Sequence, residues 1–378
     1  FYIDVGKSPA AARAVEPALR YARETKDRDS EAEAIRLEAS LMCLVGKNEQ
    51  SLDLCEKAIA LCGDSRNGRY QRALSLNSRG TTLCNMGKLK EAIESYAEAL
   101  VIYRLLKMAR QEARALNNMG VVFASMGEYE EALAHYKSSL KLDQKLGDRA
   151  SIGFKLGNIG QTYSDLGDLA RGEKYLRKAL HLAIELEDPS AQTDAEISLG
   201  QLYLQQKRIP KCLKFLEKGL HSANANRDRF QEIRALIYLA FAKIEAGHPA
   251  DGALELAESA TQLAHQMPMA IGEIYGHAAQ AVALGRLERG PEAIEKARRA
   301  VELQKSSQQP EGAEQVLHIY ATTCERFGKI EEAKKALESA RKTILEKAQR
   351  IKDTELKKHF LSGNIPVAIL ADLKRLSV

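Results

Sequence analysis

A 40-residue period runs through the chain and limits the folds open to it more than any other feature. The segments NMGKLKEAIESYAEAL, SMGEYEEALAHYKSSL and DLGDLARGEKYLRKAL align on a central glycine. Extending this alignment in both directions gives nine anchor positions spaced by 40 or 41 residues: Gly6, Gly46, Gly87, Gly127, Gly167, Lys207, Gly247, Glu288 and Gly328. A fixed period of roughly 20–50 residues indicates a stack of repeated units rather than separate globular domains.

Each unit carries two helical patterns, one on each side of its anchor. Seven residues before the anchor a small side chain recurs, at Ala39, Gly80, Gly120, Gly160, Gly200, Ala240, Ala281 and Ala321. Small and larger apolar residues also alternate after the anchor at spacings that share one face of a helix. Because small residues at a crossing point let two helix backbones approach closely, the pattern predicts a packed helix pair in every unit.

Composition agrees with helices and with a packed core. Hydrophobic residues make up 45% of the 378 residues, aromatic residues only 6%, and Trp is absent. Helix starts are marked by Asp or Asn 21 residues after an anchor, at Asp27, Asn67, Asp148, Asp188 and Asp228. These side chains can accept hydrogen bonds from the first free N–H groups of the next helix.

At these positions the chain resembles the tetratricopeptide repeat family. The resemblance rests on a small residue, a large one three residues later, Gly in the turn, and a second small–large–small series after it. It implies an all-α fold: a right-handed α-solenoid of antiparallel helix pairs, with about eight full repeats, a partial N-terminal repeat and a C-terminal helical cap. The 40-residue period is similar to the repeats of Pins/LGN-type adaptors, kinesin light chains and bacterial signalling proteins.

Residues 1–350 are accordingly expected to form the repeat array, and residues 351–378 to form capping helices. Tyr2 aligns with Phe123 and Tyr163, so the chain is expected to begin inside a unit. Lys207 stands where most units have Gly and is soon followed by Pro210, which predicts a different turn there. The apolar set from Leu356 to Leu373 suits a cap on the last helix pair, and the alternative is a docking element for a partner.

No motif for catalysis or for metal binding is present. The chain has no phosphate-binding glycine loop, no HExxH and no GxSxG, and its His residues are scattered over different units. The six Cys form no CxxC. The net charge of +5 is small, and no basic stripe of the kind that binds nucleic acid is evident. We therefore expect a protein that is not an enzyme and that uses no cofactor, metal, nucleic acid or membrane.

The family resemblance also implies a binding surface, because the first helix of each repeat lines the concave face in that family. The residues expected to bind a peptide there are Asn77, Arg114, Asn117, Phe154, Gln161, Gln201 and Arg234. Amide side chains can both donate to and accept from the main chain of an extended peptide, and Arg can hold a carboxylate. The alternative is that these are ordinary solvated side chains.

The leading interpretation is a cytoplasmic, non-catalytic scaffold that binds a protein or peptide segment, as the sensor or recruitment arm of a larger signalling protein. Two alternatives stay open. One is an array that associates with itself, and the other is the regulatory part of an enzyme whose catalytic domain is not in this chain. The sequence does not identify the partner or the oligomeric state.

Overall fold

Helices occupy nearly all of the chain. A computed structural model describes residues 8–267, 269–307 and 311–376, and the side chains from Ala14 onward within those ranges. The expected partial first unit around Tyr2 and its anchor Gly6 lie outside the described residues. In the described ranges the helices are α1 Ser8–Thr25, α2 Arg28–Leu44, α3 Asn48–Leu61, α4 Arg66–Asn85, α5 Leu89–Leu105, α6 Ala109–Ser125, α7 Tyr129–Leu146, α8 Arg149–Asp165, α9 Leu169–Glu185, α10 Pro189–Gln205, α11 Ile209–Asn226, α12 Arg229–Glu245, α13 Ala250–Gln266, α14 Ala270–Arg286, α15 Gly290–Ser306, α16 Ala313–Arg326, α17 Ile330–Arg350, α18 Thr354–Leu361 and α19 Asn364–Leu376.

Consecutive helices pack as pairs, and the predicted all-α solenoid is confirmed. Examples are α2 with α3, α4 with α5, α8 with α9, and α10 with α11. The chain divides into two compact units. Unit 1 comprises Phe1–Val122 and Lys141–Leu146, and unit 2 comprises Phe123–Leu140 and Gly147–Val378.

The small residues lie where two helices of a pair touch. A Cβ atom built on Gly160 of α8 would lie 2.8 Å from Cγ of Leu176 on α9. One on Gly200 of α10 would lie 2.6 Å from Cγ of Leu216 on α11. Since real Cβ atoms do not come this close to other heavy atoms, glycine is what allows these backbones to approach.

Four of the five predicted helix caps are confirmed. Asp27, Asp148, Asp188 and Asp228 each accept from a backbone N–H in the first turn of the following helix, at 3.0–3.2 Å. The prediction for Asn67 is wrong. Helix α4 already begins at Arg66, and Ser65 caps it by accepting from the N–H of Gly68 at 2.8 Å.

The turn at Lys207 does not differ from the glycine turns, so that prediction is also wrong. Lys207 adopts a left-handed φ of 57°, and Gly167 has a φ of 78° at the matching position. The N–H of Lys207 donates to the carbonyl of Leu204, and the N–H of Gly167 donates to that of Ser164, both at 3.0 Å. The left-handed conformation of a non-glycine residue costs about 1–2 kcal/mol, which the same helix-ending hydrogen bonds offset here.

The C-terminal helices pack on the last pair of unit 2. Asp353 caps α18 by accepting from the N–H groups of Glu355 and Leu356. Helix α19 packs against α16 and α17, where Nε2 of His318 lies 2.8 Å from Oδ2 of Asp372. Ile369 of α19 is fully buried in the same apolar cluster as residues of α16 and α17.

The same segment also reaches far back along unit 2. Nη1 of Arg350 lies 3.2 Å from Oε1 of Glu128 and 3.3 Å from the carbonyl oxygen of Met126. Nδ2 of Asn364 donates to the carbonyl oxygen of Gln205 at 2.5 Å. The ring of Phe360 lies 6.3 Å from that of Tyr129, centroid to centroid. Two turns distant in sequence, at Glu128 and at Gln205, therefore contact the C-terminal segment.

Candidate functional site

The seven predicted site residues lie on the first helices of five pairs. Asn77 is on α4, Arg114 and Asn117 are on α6, and these three belong to unit 1. In unit 2, Phe154 and Gln161 are on α8, Gln201 is on α10 and Arg234 is on α12. Six of the seven side chains are half-buried, and Asn77 is only 1% exposed. All seven therefore lie on the first helix of a pair, and each side chain is at least half-buried.

In unit 1, the amide of Asn77 is engaged by a neighbouring helix. Its Oδ1 accepts from Nδ2 of Asn118 on α6 at 3.4 Å. Asn118 therefore bonds between two helices rather than facing a ligand. Because Asn77 is buried, it contributes to the packing of α4 against α6. Asn117, in contrast, is partly exposed.

In unit 2, Gln161 lies beside a carboxyl group with an unusual affinity for its proton. Nε2 of Gln161 donates to Oδ1 of Asp165, one turn along α8, at 2.9 Å. Burial, and next the negative charge of Glu311, raise the pKa of Asp165 to about 7, while Gln161 and Lys347 oppose the shift. This part of the surface can therefore change its charge near neutral pH.

Arg234 is held by the preceding pair. Its Nη1 lies 2.6 Å from Oδ1 of Asp194 on α10, and its Nη2 lies 3.3 Å from Oγ of Ser198. Nε2 of Gln231 donates to the same Asp194 oxygen at 3.0 Å. The guanidinium and the carboxylate thus neutralise each other, and their ordered side chains form a polar rim rather than an isolated charge.

A shallow, open cleft lies next to this rim. Its lining residues are Gly153, Phe154, Gly157, Ala179, Ala191, Asp194 and Ala195. Gly157 occupies the repeat position that Asn117 has in α6. A Cβ atom on Gly157 would lie 3.8 Å from Oδ2 of Asp194, so this second oxygen of Asp194 borders the space that the missing side chain leaves.

A buried ion pair in unit 2 was missed by reasoning from the sequence. Nζ of Lys347 lies 2.7 and 3.0 Å from the two carboxylate oxygens of Glu314, and the residues are 4% and 9% exposed. The repeat did hold a signal. At the position of Glu314 the other units carry only small or uncharged residues, namely Ala32, Ala73, Ala113, Gly153, Thr193, Ile233 and Ile274.

The described residues offer binding groups rather than reactive ones. Among them, no three His, Cys, Asp or Glu side chains come together as metal ligands would. No helix of the described ranges is long and apolar enough to cross a bilayer. Cys55, Cys212 and Cys324 are fully buried and pack in the core as small apolar side chains do. What lines the first helices is a set of amides, guanidinium groups and carboxylates with partial exposure.

Comparison with known proteins agrees with the repeat pattern. The tetratricopeptide repeat model matches residues 71–145 and 111–185. No curated protein sequence matches the chain.

Several solved structures resemble the chain over most of its length. The Rap conjugation gene regulator of the plasmid pLS20, in complex with the Phr peptide, has a TM-score of 0.63 and 12% identity, with 92% of this chain and 99% of that one covered. The apo form of the quorum sensor NprR from B. thuringiensis has a TM-score of 0.59 and 13% identity, with 90% and 98% covered. A Rap protein complexed with Competence and Sporulation Factor has a TM-score of 0.58 and 12% identity, with 92% and 98% covered. At these identities the likeness shows the fold.

Proposed function

We propose that this chain, a member of the tetratricopeptide repeat family, is a non-catalytic scaffold that binds an extended segment of a partner protein or peptide along its first helices. The observation that carries the proposal is the repetition of half-buried amides on matching helices of unit 2, with Gln161 on α8 and Gln201 on α10. Each amide can donate to a carbonyl and accept from an N–H of an extended main chain.

The cleft beside Asp194 supports the same proposal. It adjoins the amide series on α8 and α10, and its walls combine apolar side chains with one carboxylate oxygen. This shallow apolar surface can contact one side chain of a bound segment, while the amides hold its main chain. Structural relatives described as complexes with the Phr peptide and with Competence and Sporulation Factor favour a peptide as the ligand. The sensor or recruitment arm of a larger signalling protein is the role we infer.

A peptide-display selection tests the proposal. Random peptides are selected on the immobilised chain, and the enriched sequences are measured by fluorescence anisotropy. The double variant Gln161→Leu, Gln201→Leu should weaken these peptides by about tenfold, because each lost neutral hydrogen bond is worth about 0.5–1.5 kcal/mol. The control is Gln262→Leu, an exposed amide on the second helix α13, which should leave binding unchanged.

Two results would contradict the proposal. If the enriched peptides bind the double variant as tightly as the parent chain, they bind another surface. If the selection enriches no peptide and light scattering shows concentration-dependent assembly, self-association is favoured instead. Far-UV circular dichroism of both variants establishes that the helices are intact.

A further inference from the structure

Two histidines connect the C-terminal segment, residues 351–376, to the repeats of unit 2. Nε2 of His318 on α16 lies 2.8 Å from Oδ2 of Asp372 on α19. Nε2 of His359 on α18 lies 3.9 Å from Oδ2 of Asp168, in the turn before α9. In each contact one partner belongs to the segment and the other to the repeats. Both helices of the segment are therefore attached through a contact between an imidazole and a carboxylate.

These contacts are partly shielded from water. The side chains of His318 and Asp372 are 15% and 21% exposed, and that of Asp168 is 5% exposed. Salt and water screen the attraction between charges less when the charges are partly buried. The charge of the imidazole therefore affects these contacts more than it would on an open surface.

A chain of ion pairs leads from His318 along α19. Nη2 of Arg375 donates to Oδ1 of Asp372 at 2.9 Å and to Oε2 of Glu325 at 2.8 Å. Burial alone would raise the pKa of Asp372, but the hydrogen bonds from His318 and Arg375 outweigh burial and lower it. Asp372 is thus ionised wherever an imidazole titrates. Two carboxylates and one permanent cation balance only when His318 is protonated.

The surroundings of His359 have the same charge pattern. Asp168 is paired with Arg171 of α9, and Oε2 of Glu355 on α18 lies 3.7 Å from Arg171. Oε1 of Glu355 also lies 3.9 Å from Nε2 of His359. Here too, two carboxylates face one permanent cation, and a protonated imidazole completes the balance.

Other charged side chains of the helices around α16 and α18, or of their turns, are engaged in pairs of their own. These pairs are Glu332 with Arg298, Lys347 with Glu314, Arg326 with Glu288, Arg350 with Glu128, and Lys352 with Glu131.

We infer that these two clusters form a proton-dependent latch, which holds the C-terminal segment on unit 2 more tightly when His318 and His359 are protonated. Histidine is the side chain that ordinarily changes its charge between about pH 5 and pH 8. Because the closed segment favours the protonated imidazoles, raising the pH through this range favours opening. The contacts of Arg375 and the burial of Phe360 and Ile369 remain, so the segment loosens rather than dissociates.

Amide hydrogen exchange of the full chain tests the latch. The exchange rates of α18 and α19 at pH 6 and pH 8 are divided by the intrinsic rates at the same pH, which gives protection factors. In the parent chain we expect protection to fall by about fivefold or more between these pH values, because a hydrogen bond to a charged group is stronger than a neutral one. The double variant His318→Gln, His359→Gln should be less protected than the parent at pH 6 and equal to it at pH 8.

His265→Gln is the matched control, because His265 also faces a carboxylate but does not contact the segment. Its Nδ1 lies 3.3 Å from Oε1 of Glu273, and its side chain is 82% exposed. This variant should keep the pH dependence of the parent. The pKa of Asp165 is about 7, so this residue also changes the stability of unit 2 in the same range. It is present in all three chains, and its effect cancels in their comparison.

Three outcomes would overturn the inference. If protection of α18 and α19 in the parent chain does not change between pH 6 and pH 8, the two histidines do not control the segment. If the double variant keeps the full pH dependence, another group such as Asp165 causes it. If His265→Gln reduces the dependence as much as the double variant does, the effect is not specific to the segment. The peptide selection uses other side chains, so its failure is distinguishable from the failure of this experiment.

Discussion

Asp165 is the residue whose protonation most directly links pH to the stability of unit 2. Its pKa is raised from the ordinary value of 3.8 to about 7, first by burial and then by Glu311. Between these two pH values the folded chain keeps a proton that the unfolded chain has released. The free energy of unfolding therefore falls as pH rises through this window, and the loss is complete above about pH 7.

We expect Asp165→Asn to raise the stability of unit 2 at pH 8 and to flatten its pH dependence between pH 5 and pH 8. The amide oxygen of Asn can still accept from Gln161, while the charge near Glu311 is removed. Because each unit of pKa corresponds to about 1.4 kcal/mol, a gain of about 1 kcal/mol or more at pH 8 is expected. Urea unfolding monitored at both pH values measures it. Asp251→Asn, at an exposed position of α13, is the control and should leave the pH dependence as it is.

At the scale of single helices, two glycines of α8 that are seven residues apart should respond in opposite ways to an added Cβ atom. Gly160 lies at the contact with α9, where an added Cβ would meet Cγ of Leu176 at 2.8 Å and the backbone nitrogen of Leu176 at 3.0 Å. Gly153 has only one neighbouring atom within 4 Å, Cδ2 of Leu182 at 3.7 Å. Replacing each glycine by alanine therefore separates two effects on stability, close packing at Gly160 and helix propensity at Gly153.

We expect Gly160→Ala to destabilise unit 2 by about 1–3 kcal/mol, because the two backbones must move apart. Gly153→Ala should stabilise it by about 0.5–1 kcal/mol, because alanine has the higher helix propensity and meets no clash. Thermal unfolding of the two variants side by side measures both effects. Equal melting temperatures would mean that α8 and α9 do not approach at Gly160.

Elements were predictable from the sequence where their causes are local. The period, the small residues at helix contacts and the Asp caps each depend on neighbours within a few residues or within one pair. The prediction of a different turn at Lys207 was wrong because the hydrogen bonds that close such turns outweigh the preference for glycine there. In the site, periodicity predicted that the amides lie on the first helices. It did not predict the burial of Asn77 or the ion pair between Arg234 and Asp194. Those contacts depend on the rotation between successive pairs, which no short stretch of sequence encodes.

At the scale of the whole molecule, the C-terminal segment matters to unit 2 well beyond its own end. Leu356, Phe360 and Ile369 are 7%, 4% and 0% exposed, and they share an apolar cluster with Tyr129 and Leu133 of α7. Burying an apolar side chain of this size is worth about 1.5–3 kcal/mol. The segment therefore stabilises the beginning of unit 2 as well as its last pair.

We expect truncation after Lys352 to speed amide hydrogen exchange in α7 and α17, which the segment contacts. The intervening helix α13 should exchange as before, because a repeat contacts mainly its neighbours. The chain should also bind more of a hydrophobic dye, since the partners of Phe360 and Ile369 are uncovered. The substitution Val367→Ser, at a side chain of α19 that is 50% exposed, is the control and should change neither readout. Faster exchange in α17 alone would show that the segment stabilises only the last pair.

The return of the C-terminal segment to the turns at Glu128 and Gln205 fixes how many helix pairs unit 2 can contain. An open stack can gain or lose a pair by recombination between repeats and still fold, because only neighbour contacts change. In unit 2, deleting or duplicating one pair between α9 and α17 would move Arg350 and Asn364 away from the carbonyl oxygens they contact. The number of helix pairs in this unit is therefore constrained by these contacts, and we expect insertions or deletions to be tolerated in its turns rather than as whole pairs.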